Sequence, residues 1–153
     1  MKPCTSLDDY LQEIERTWRL FGKLTSPVQV RVVRLRYINR IPIPMMNGHV
    51  DLSEYLKNSP QLPDEEKLIF QGFLYQQVAV EKGTGFEVNM VLTTQVPEDD
   101  RLPLIFDNCV AAVGSEEPEN WAWILDKIQS LRGLKNRIFE NMLTEKCLNL
   151  FQH

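Results

Sequence analysis

The chain has 153 residues, of which 43% are hydrophobic and 25% are charged, and its formal net charge at pH 7 is −4. This size and composition predict a single globular domain, residues 1–153, that buries a hydrophobic core. They exclude a membrane-spanning helix, which needs roughly 18 consecutive apolar residues. The acidic balance also argues against a broadly basic nucleic-acid-binding surface.

Two features of the sequence predict a cytoplasmic protein that does not enter membranes. The first 14 residues, MKPCTSLDDYLQEI, lack the apolar stretch of a secretory signal. The three cysteines, Cys4, Cys109 and Cys147, are widely spaced and form no CxxC pair, which indicates reduced thiols. We expect Cys109 and Cys147 to serve as small apolar residues.

The first predicted element is a helix that begins after Ser6, whose spacing to Asp9 is typical of a capping box. Apolar residues follow at steps of three and four, which predicts one stripe facing the core. The residues of this stripe are Leu7, Tyr10, Leu11, Ile14, Trp18, Phe21 and Leu24. Gly22 and the Ser26-Pro27 pair are expected to end the helix.

Residues 28–44, VQVRVVRLRYINRIPIP, give the strongest strand signal in the chain. The apolar side of the alternation changes between Val32 and Val33. A β-bulge there would bring both apolar sets to one side; otherwise half of the strand is buried on both faces. Pro42 and Pro44 lack an N–H, so strand pairing should end or become edge-like near them.

The remaining pattern predicts a short helix over 51–57, capped by Asp51 or Ser53, and then strands over 68–80, 86–96 and 102–113. The segment that starts at Gly114 is typical of a helix start. A long amphipathic helix should follow, with an interruption at Gly133 and a final short helix capped by Thr144. The order predicts an α+β fold: an antiparallel sheet of about four strands, with the N-terminal and the long C-terminal helix packed on one face.

The arginine-rich strand is the first candidate site. In a regular strand Arg34, Arg36 and Arg40 share one face, while Tyr37 and Asn39 lie on the other. Two interpretations are open: a solvated face whose arginines pair with nearby carboxylates, or a binding face for an acidic partner or a phosphate.

Asp107 is the second candidate, because it interrupts the apolar strand LPLIFDNCVAAV. A buried carboxylate needs a partner, so we predict a structural ion pair with an arginine of residues 31–40. The alternative is a catalytic acid that works with a carboxylate from 98–100 or 116–119.

Other signs of catalysis are weak, which makes an enzyme the less favoured class. The histidines are His49 and His153, and neither lies in a pattern typical of a metal site or a catalytic triad. We therefore predict no catalytic residue, no metal and no cofactor. Trp121 and Trp123 differ by two helical positions, so one should be in the core while the other, taken as Trp123, faces a groove or a partner.

The segment RVVRLRYINRI (31–41) resembles the R-x-x-x-LRY-x-NRI signature of the TIGR04255 family, a sporadically distributed prokaryotic family. The resemblance extends to Asp51-Leu-x-x-Tyr-Leu (51–56), to the apolar strand that ends in Asp107 and to the helix KNRIFENMLTEK (135–146). The chain departs from the family at Arg34, where a glycine is frequent. Typical members carry an additional N-terminal region. The resemblance leaves three arrangements open, in which the chain works alone, dimerises or pairs with a separately encoded partner, and it implies no particular activity.

Together these features predict a non-enzymatic cytoplasmic binding or adaptor module that contacts a protein partner or a second copy of itself. The predicted contact residues are Arg34, Arg36, Tyr37, Asn39, Arg40 and Trp123. The alternative is a nucleic-acid- or nucleotide-binding component of a defence or toxin–antitoxin-like system.

Overall fold

A computed structural model describes residues 6–63 and 67–151 and confirms the predicted α+β class. The helices are α1 (Leu7–Thr25), α2 (Trp121–Met142) and α3 (Glu145–Leu148), with short 3-10 turns at Leu52–Glu54 and Asn149–Phe151. The strands are β1 (Val30–Pro44), β2 (Leu74–Val80), β3 (Glu87–Thr94) and β4 (Arg101–Glu116). In the described ranges no helix is long and apolar enough to cross a membrane.

The four strands form one antiparallel sheet in the order β1-β4-β3-β2. β2, β3 and β4 follow one another as neighbours, and the turn that joins β2 to β3 contains Gly83 and Gly85, both with positive φ. β1 pairs with β4 along almost its whole length, including Pro42 and Pro44. β1 and β2 are therefore the two edges of the sheet.

A register irregularity lies between Val30 and Val32, slightly before the predicted position. Val30 pairs with Glu116 and Val32 with Val113, so the extra residue belongs to β4. Val30 and Val33 are both buried on one side, whereas Val32 is exposed. The irregularity thus places the Val30 side chain in the core, while Val32 stays exposed to solvent, so it does not bring both apolar sets of β1 to one side.

The core lies between one face of the sheet, the inner face, and α2. Alternate residues of β4 point into it, and Phe106 stacks on Phe139 of α2 with ring centroids 5.6 Å apart. α2 passes Gly133 without a break, so the predicted interruption is wrong. The residues that α2 buries are Ile124, Ile128, Leu131, Leu134 and Met142. Thr144 caps α3, as predicted, and this short helix buries Cys147.

α1 begins at the predicted capping box and ends at Ser26, but the prediction that its whole stripe faces the core is wrong. No residue of α1 is buried. Leu7, Leu11 and Trp18 pack against the core, and the other apolar side chains of the stripe are exposed. The helix lies beside α2, so one narrow line of side chains meets the rest of the protein.

Three element boundaries also differ from the sequence-based prediction. β4 continues to Glu116 because the first residue of β1, Val30, pairs with it there, so Gly114 lies in a strand and not at a helix start. α2 begins at Trp121, where the side chain of Asn120 accepts a hydrogen bond from the Trp123 N–H. β2 begins at Leu74, six residues later than the strand predicted from residue 68.

Candidate functional site

The side of the sheet opposite α2, here called the outer face, is the candidate binding surface. The alternation of β1 places Arg34, Arg36 and Arg40 on it, as predicted, together with Ile38. Aliphatic side chains of β1 and β2 are also exposed to solvent on the outer face. Ile38 is 60% exposed, Leu74 73%, Val78 75% and Val80 63%. Among the described residues, no helix covers this face.

A concave groove of about 740 Å³ crosses the outer face. Its β1 side is formed by Arg34 and Arg36, and its β2 side by Val78 and Val80. Asn89, Val91, Asp107 and Cys109 line the strands between them. One wall is thus cationic and the other aliphatic, a combination that suits a protein surface better than a uniformly charged ligand.

Arg36 and Asp107 form a forked ion pair in this groove. Arg36 Nη2 lies 2.6 Å from Asp107 Oδ2, and Arg36 Nε lies 3.0 Å from Oδ1. This hydrogen bond raises the pKa of the Arg36 guanidinium above its ordinary value. The Asp107 side chain is 19% exposed, so it lies on the outer face and not in the core as its apolar neighbours suggested.

The remaining arginines of β1 differ in how strongly they are held. Arg40 Nη2 contacts Glu98 Oε2 at 2.5 Å, and Arg31 Nε donates to Gln29 Oε1 at 2.9 Å. Arg34 has neither an ion pair nor a side-chain hydrogen bond within residues 6–63 and 67–151, and it is exposed. Of the arginines on the outer face, Arg34 has the guanidinium most available to a partner.

Two other predicted contact residues, Tyr37 and Asn39, lie on the helix side of the sheet. Tyr37 is half-buried with its ring 3.9 Å from Lys135 Nζ, and burial raises the pKa of its hydroxyl. Asn39 is half-buried on the same face as Tyr37. The structure does not bring these two residues together with the arginines.

Trp123 differs most from expectation, because it was predicted to be exposed and is half-buried against the core. The cause is local: its position in the first turn of α2 brings it against the end of β4. A Cβ added at Gly114 would lie 3.0 Å from the Trp123 ring, so glycine leaves the room that the indole fills. Lys127 Nζ lies 5.5 Å from the centre of the same ring.

The groove contains few of the side chains that the catalytic alternative requires. The carboxylates that line it are Asp107 and Glu87; the acidic clusters at 98–100 and 116–119 do not line it. In the described part of the chain no three His, Cys, Asp or Glu side chains gather where they would hold a metal ion. Cys109 is a half-buried free thiol in the groove, while Cys4 and His153 lie outside the described residues.

The exposed aliphatic residues of β2 are the part of the surface that sequence reasoning missed. Alternation placed Leu74, Val78 and Val80 in one set, but a single strand does not reveal which side of the sheet is covered. The complete lack of charge in LYQQVAV (74–80) was the available signal of an interaction surface.

Comparison of the chain with protein families, with curated proteins and with solved structures gave no match. The resemblance of residues 31–41 to the prokaryotic family therefore stays a prediction.

Proposed function

We propose that this chain is a protein-binding module and that the outer face of its sheet is the binding surface. The observation that carries the proposal is the exposure of aliphatic side chains across an uncovered sheet, up to 75% at Val78. Exposed apolar side chains that are grouped on one face mark interaction sites more often than scattered ones do. This refines the predicted set of contacts: Arg34, Arg36 and Arg40 belong to the surface, and Tyr37, Asn39 and Trp123 do not.

The groove specifies the chemistry of the partner. Its aliphatic wall at Val78 and Val80 favours apolar side chains, and Arg34 on the opposite wall favours a carboxylate. Asp107 already neutralises Arg36, so this second guanidinium contributes shape more than charge. The partner is therefore a protein segment that presents a carboxylate beside aliphatic side chains.

A nucleic-acid ligand is less well supported by the same contacts. Arg36 and Arg40 each pair with a carboxylate of this chain, and the nearest tyrosine of β1, Tyr37, is on the other face. Stacking of bases on aromatic rings, the usual companion of arginine in single-strand binding, has no platform among the residues that line the groove.

The proposal is tested by comparing Arg34→Glu with Lys23→Glu, an equal change of charge on the exposed side of α1. Proteins that cross-link to the wild-type chain and to Lys23→Glu, but not to Arg34→Glu, are purified and titrated calorimetrically. We expect Arg34→Glu to weaken such a complex at least about tenfold, since a desolvated charge-assisted contact contributes about 1.5–3 kcal/mol.

The proposal is wrong if the purified partner binds both variants equally well. It is also wrong if the material retained is RNA or DNA, whose affinity would fall steeply with salt.

A further inference from the structure

β2 is a free edge of the sheet, and the backbone N–H and C=O groups of every second residue of this strand point away from the sheet. At one end of the β2–β3 ladder the Glu81 N–H donates to the Phe86 carbonyl, and at the other the Thr94 N–H donates to the Phe73 carbonyl. Hydrogen-bonded pairs alternate along an antiparallel ladder. The odd-numbered residues of β2 therefore face β3, and Leu74, Gln76, Val78 and Val80 direct their N–H and C=O groups away from the sheet.

The two edges of the sheet differ in how they resist pairing with another chain. β1 carries Pro42, Pro44 and four arginines, which are the features that natural proteins use to block edge-to-edge contacts. β2 has seven residues, LYQQVAV, with neither a charge nor a proline. Within residues 6–63 and 67–151 no strand pairs with its outer edge. An unprotected, uncharged edge of this kind is a template for a further strand.

We propose that β2 pairs with β2 of a second copy of this chain, antiparallel about a two-fold axis at Gln77. Two four-stranded sheets then join into one sheet of eight strands. This inference goes beyond the proposed function, because it concerns the edge of the sheet and not its outer face.

A second copy of this chain is inferred to be the partner of the β2 edge because the strand is complementary to itself. Antiparallel pairing about Gln77 sets Leu74 opposite Val80 of the second copy and Gln76 opposite its Val78. All four residues with outward backbone groups then find hydrogen-bonding partners, two bonds for each such pair. Because the strand is uncharged, two-fold pairing places no like charges opposite one another.

The register is equally constrained by the backbone. A slip of one residue would set outward-facing groups against inward-facing ones and lose the ladder. A slip that moves the axis to Gln76 or Val78 keeps the alternation but leaves one of the four outward residues unpaired. The axis at Gln77 is the arrangement that uses the whole strand.

The sharpest test is a cysteine placed on the axis. Across a non-hydrogen-bonded antiparallel pair the Cα atoms are about 4.5 Å apart, within reach of a disulfide. Gln77→Cys should therefore form a covalent dimer on mild oxidation, in a background carrying Cys4→Ser and Cys109→Ser. Ala79→Cys is the matched control, since it lies on the same strand and the same face, but opposite Tyr75 of the second copy.

Sedimentation velocity of the full chain between about 5 and about 500 µM, the range of weak dimers, gives the independent measurement. We expect a monomer–dimer equilibrium that Val78→Pro shifts at least tenfold towards monomer, because proline removes an outward N–H and leaves the β2–β3 ladder intact. Circular dichroism checks that this variant is folded; if it is not, the two cysteine variants decide.

The inference is overturned by a wild-type chain that stays monomeric over this range. Equal cross-linking of Gln77→Cys and Ala79→Cys, or a dimer that survives in folded Val78→Pro, also overturns it. Arg34→Glu separates this inference from the proposed function, because it should weaken partner binding at least about tenfold and leave the dimer unchanged.

Discussion

Asn108 is a fully buried polar side chain between β4 and α2 that is only half satisfied. Its Nδ2 donates to the Lys135 carbonyl at 3.3 Å, and its Oδ1 has no hydrogen-bond partner within residues 6–63 and 67–151. A buried polar atom without a partner loses its hydrogen bonds to water and gains none within the protein, which destabilises the folded state. At this position an apolar side chain of similar size should serve the fold as well or better.

Asn108→Leu is therefore expected to keep or raise the free energy of unfolding by up to about 1 kcal/mol. Asn108→Asp, the matched polar variant, should lower it by about 3 kcal/mol or more, because it buries a charge and replaces the amide donor that faces the Lys135 carbonyl with a carboxylate oxygen. Urea denaturation of both variants checks the pair. A large loss of stability in Asn108→Leu would show that the Lys135 contact matters more than the unsatisfied oxygen.

Cys147 links stability to alkaline pH. Burial raises the pKa of its thiol from 9.0 to about 11. Between these values the unfolded chain releases the proton and the folded chain retains it, so stability is complete below pH 9 and declines as the pH rises towards 11. Two pKa units correspond to about 2.7 kcal/mol.

Melting temperatures of wild type and Cys147→Ala across this interval test the linkage. The alanine variant should start lower, because it leaves a cavity, and should lose less stability per pH unit than wild type. Parallel curves for the two proteins would show that the thiol does not titrate with unfolding.

At the level of elements, α1 is held by few contacts for a helix of 19 residues. Trp18 Nε1 donates to the Pro118 carbonyl at 2.8 Å, and Arg132 Nη1 lies 2.7 Å from Asp8 Oδ1. The hydrogen bond from Arg132 is the main reason that the pKa of Asp8 is lowered. Most of the apolar stripe of α1 is exposed, and of the three residues that pack against the core, Leu7, Leu11 and Trp18, the tryptophan has the largest side chain and adds a hydrogen bond.

Trp18→Ala should cost about 2 kcal/mol, roughly half of what a fully buried tryptophan would cost. Amide hydrogen exchange in residues 7–25 should accelerate while the sheet keeps its protection. Phe21→Ala is the matched control: this ring stacks on Trp18 at 5.6 Å but is largely exposed, so its loss should cost under about 1 kcal/mol. Equal effects of the two substitutions would contradict an anchor at Trp18.

Local signals in the sequence located most of these elements correctly. Ser6 caps α1 and Thr144 caps α3, as predicted. Of the two candidates for the cap at Leu52–Glu54, Asp51 is the one that the structure shows. The boundary errors arise where a distant partner decides. β4 extends to Glu116 because Val30 pairs with it, and no pattern within residues 102–120 contains that information.

For the whole molecule, the sequence could predict which residues share a face but not which face is covered. The alternation separated Arg34 and Arg36 from Tyr37 correctly. That α2 covers the side of Tyr37, and leaves the side of Arg34 open, depends on how the helix crosses back over the sheet. The aliphatic wall of the groove was missed for this reason, since β2 and β1 lie at opposite edges.

The strand order also decides how the chain folds. β2, β3 and β4 are sequential neighbours and can assemble as hairpins, whereas β1 joins β4 from the other end of the chain. The Arg36–Asp107 contact spans 71 residues of sequence. Closing so long a loop costs entropy before any pairing repays it, which slows folding. The docking of β1 is thus expected to be the slow step of folding. Until it occurs, the apolar strand β4 is an unpaired edge of the sheet.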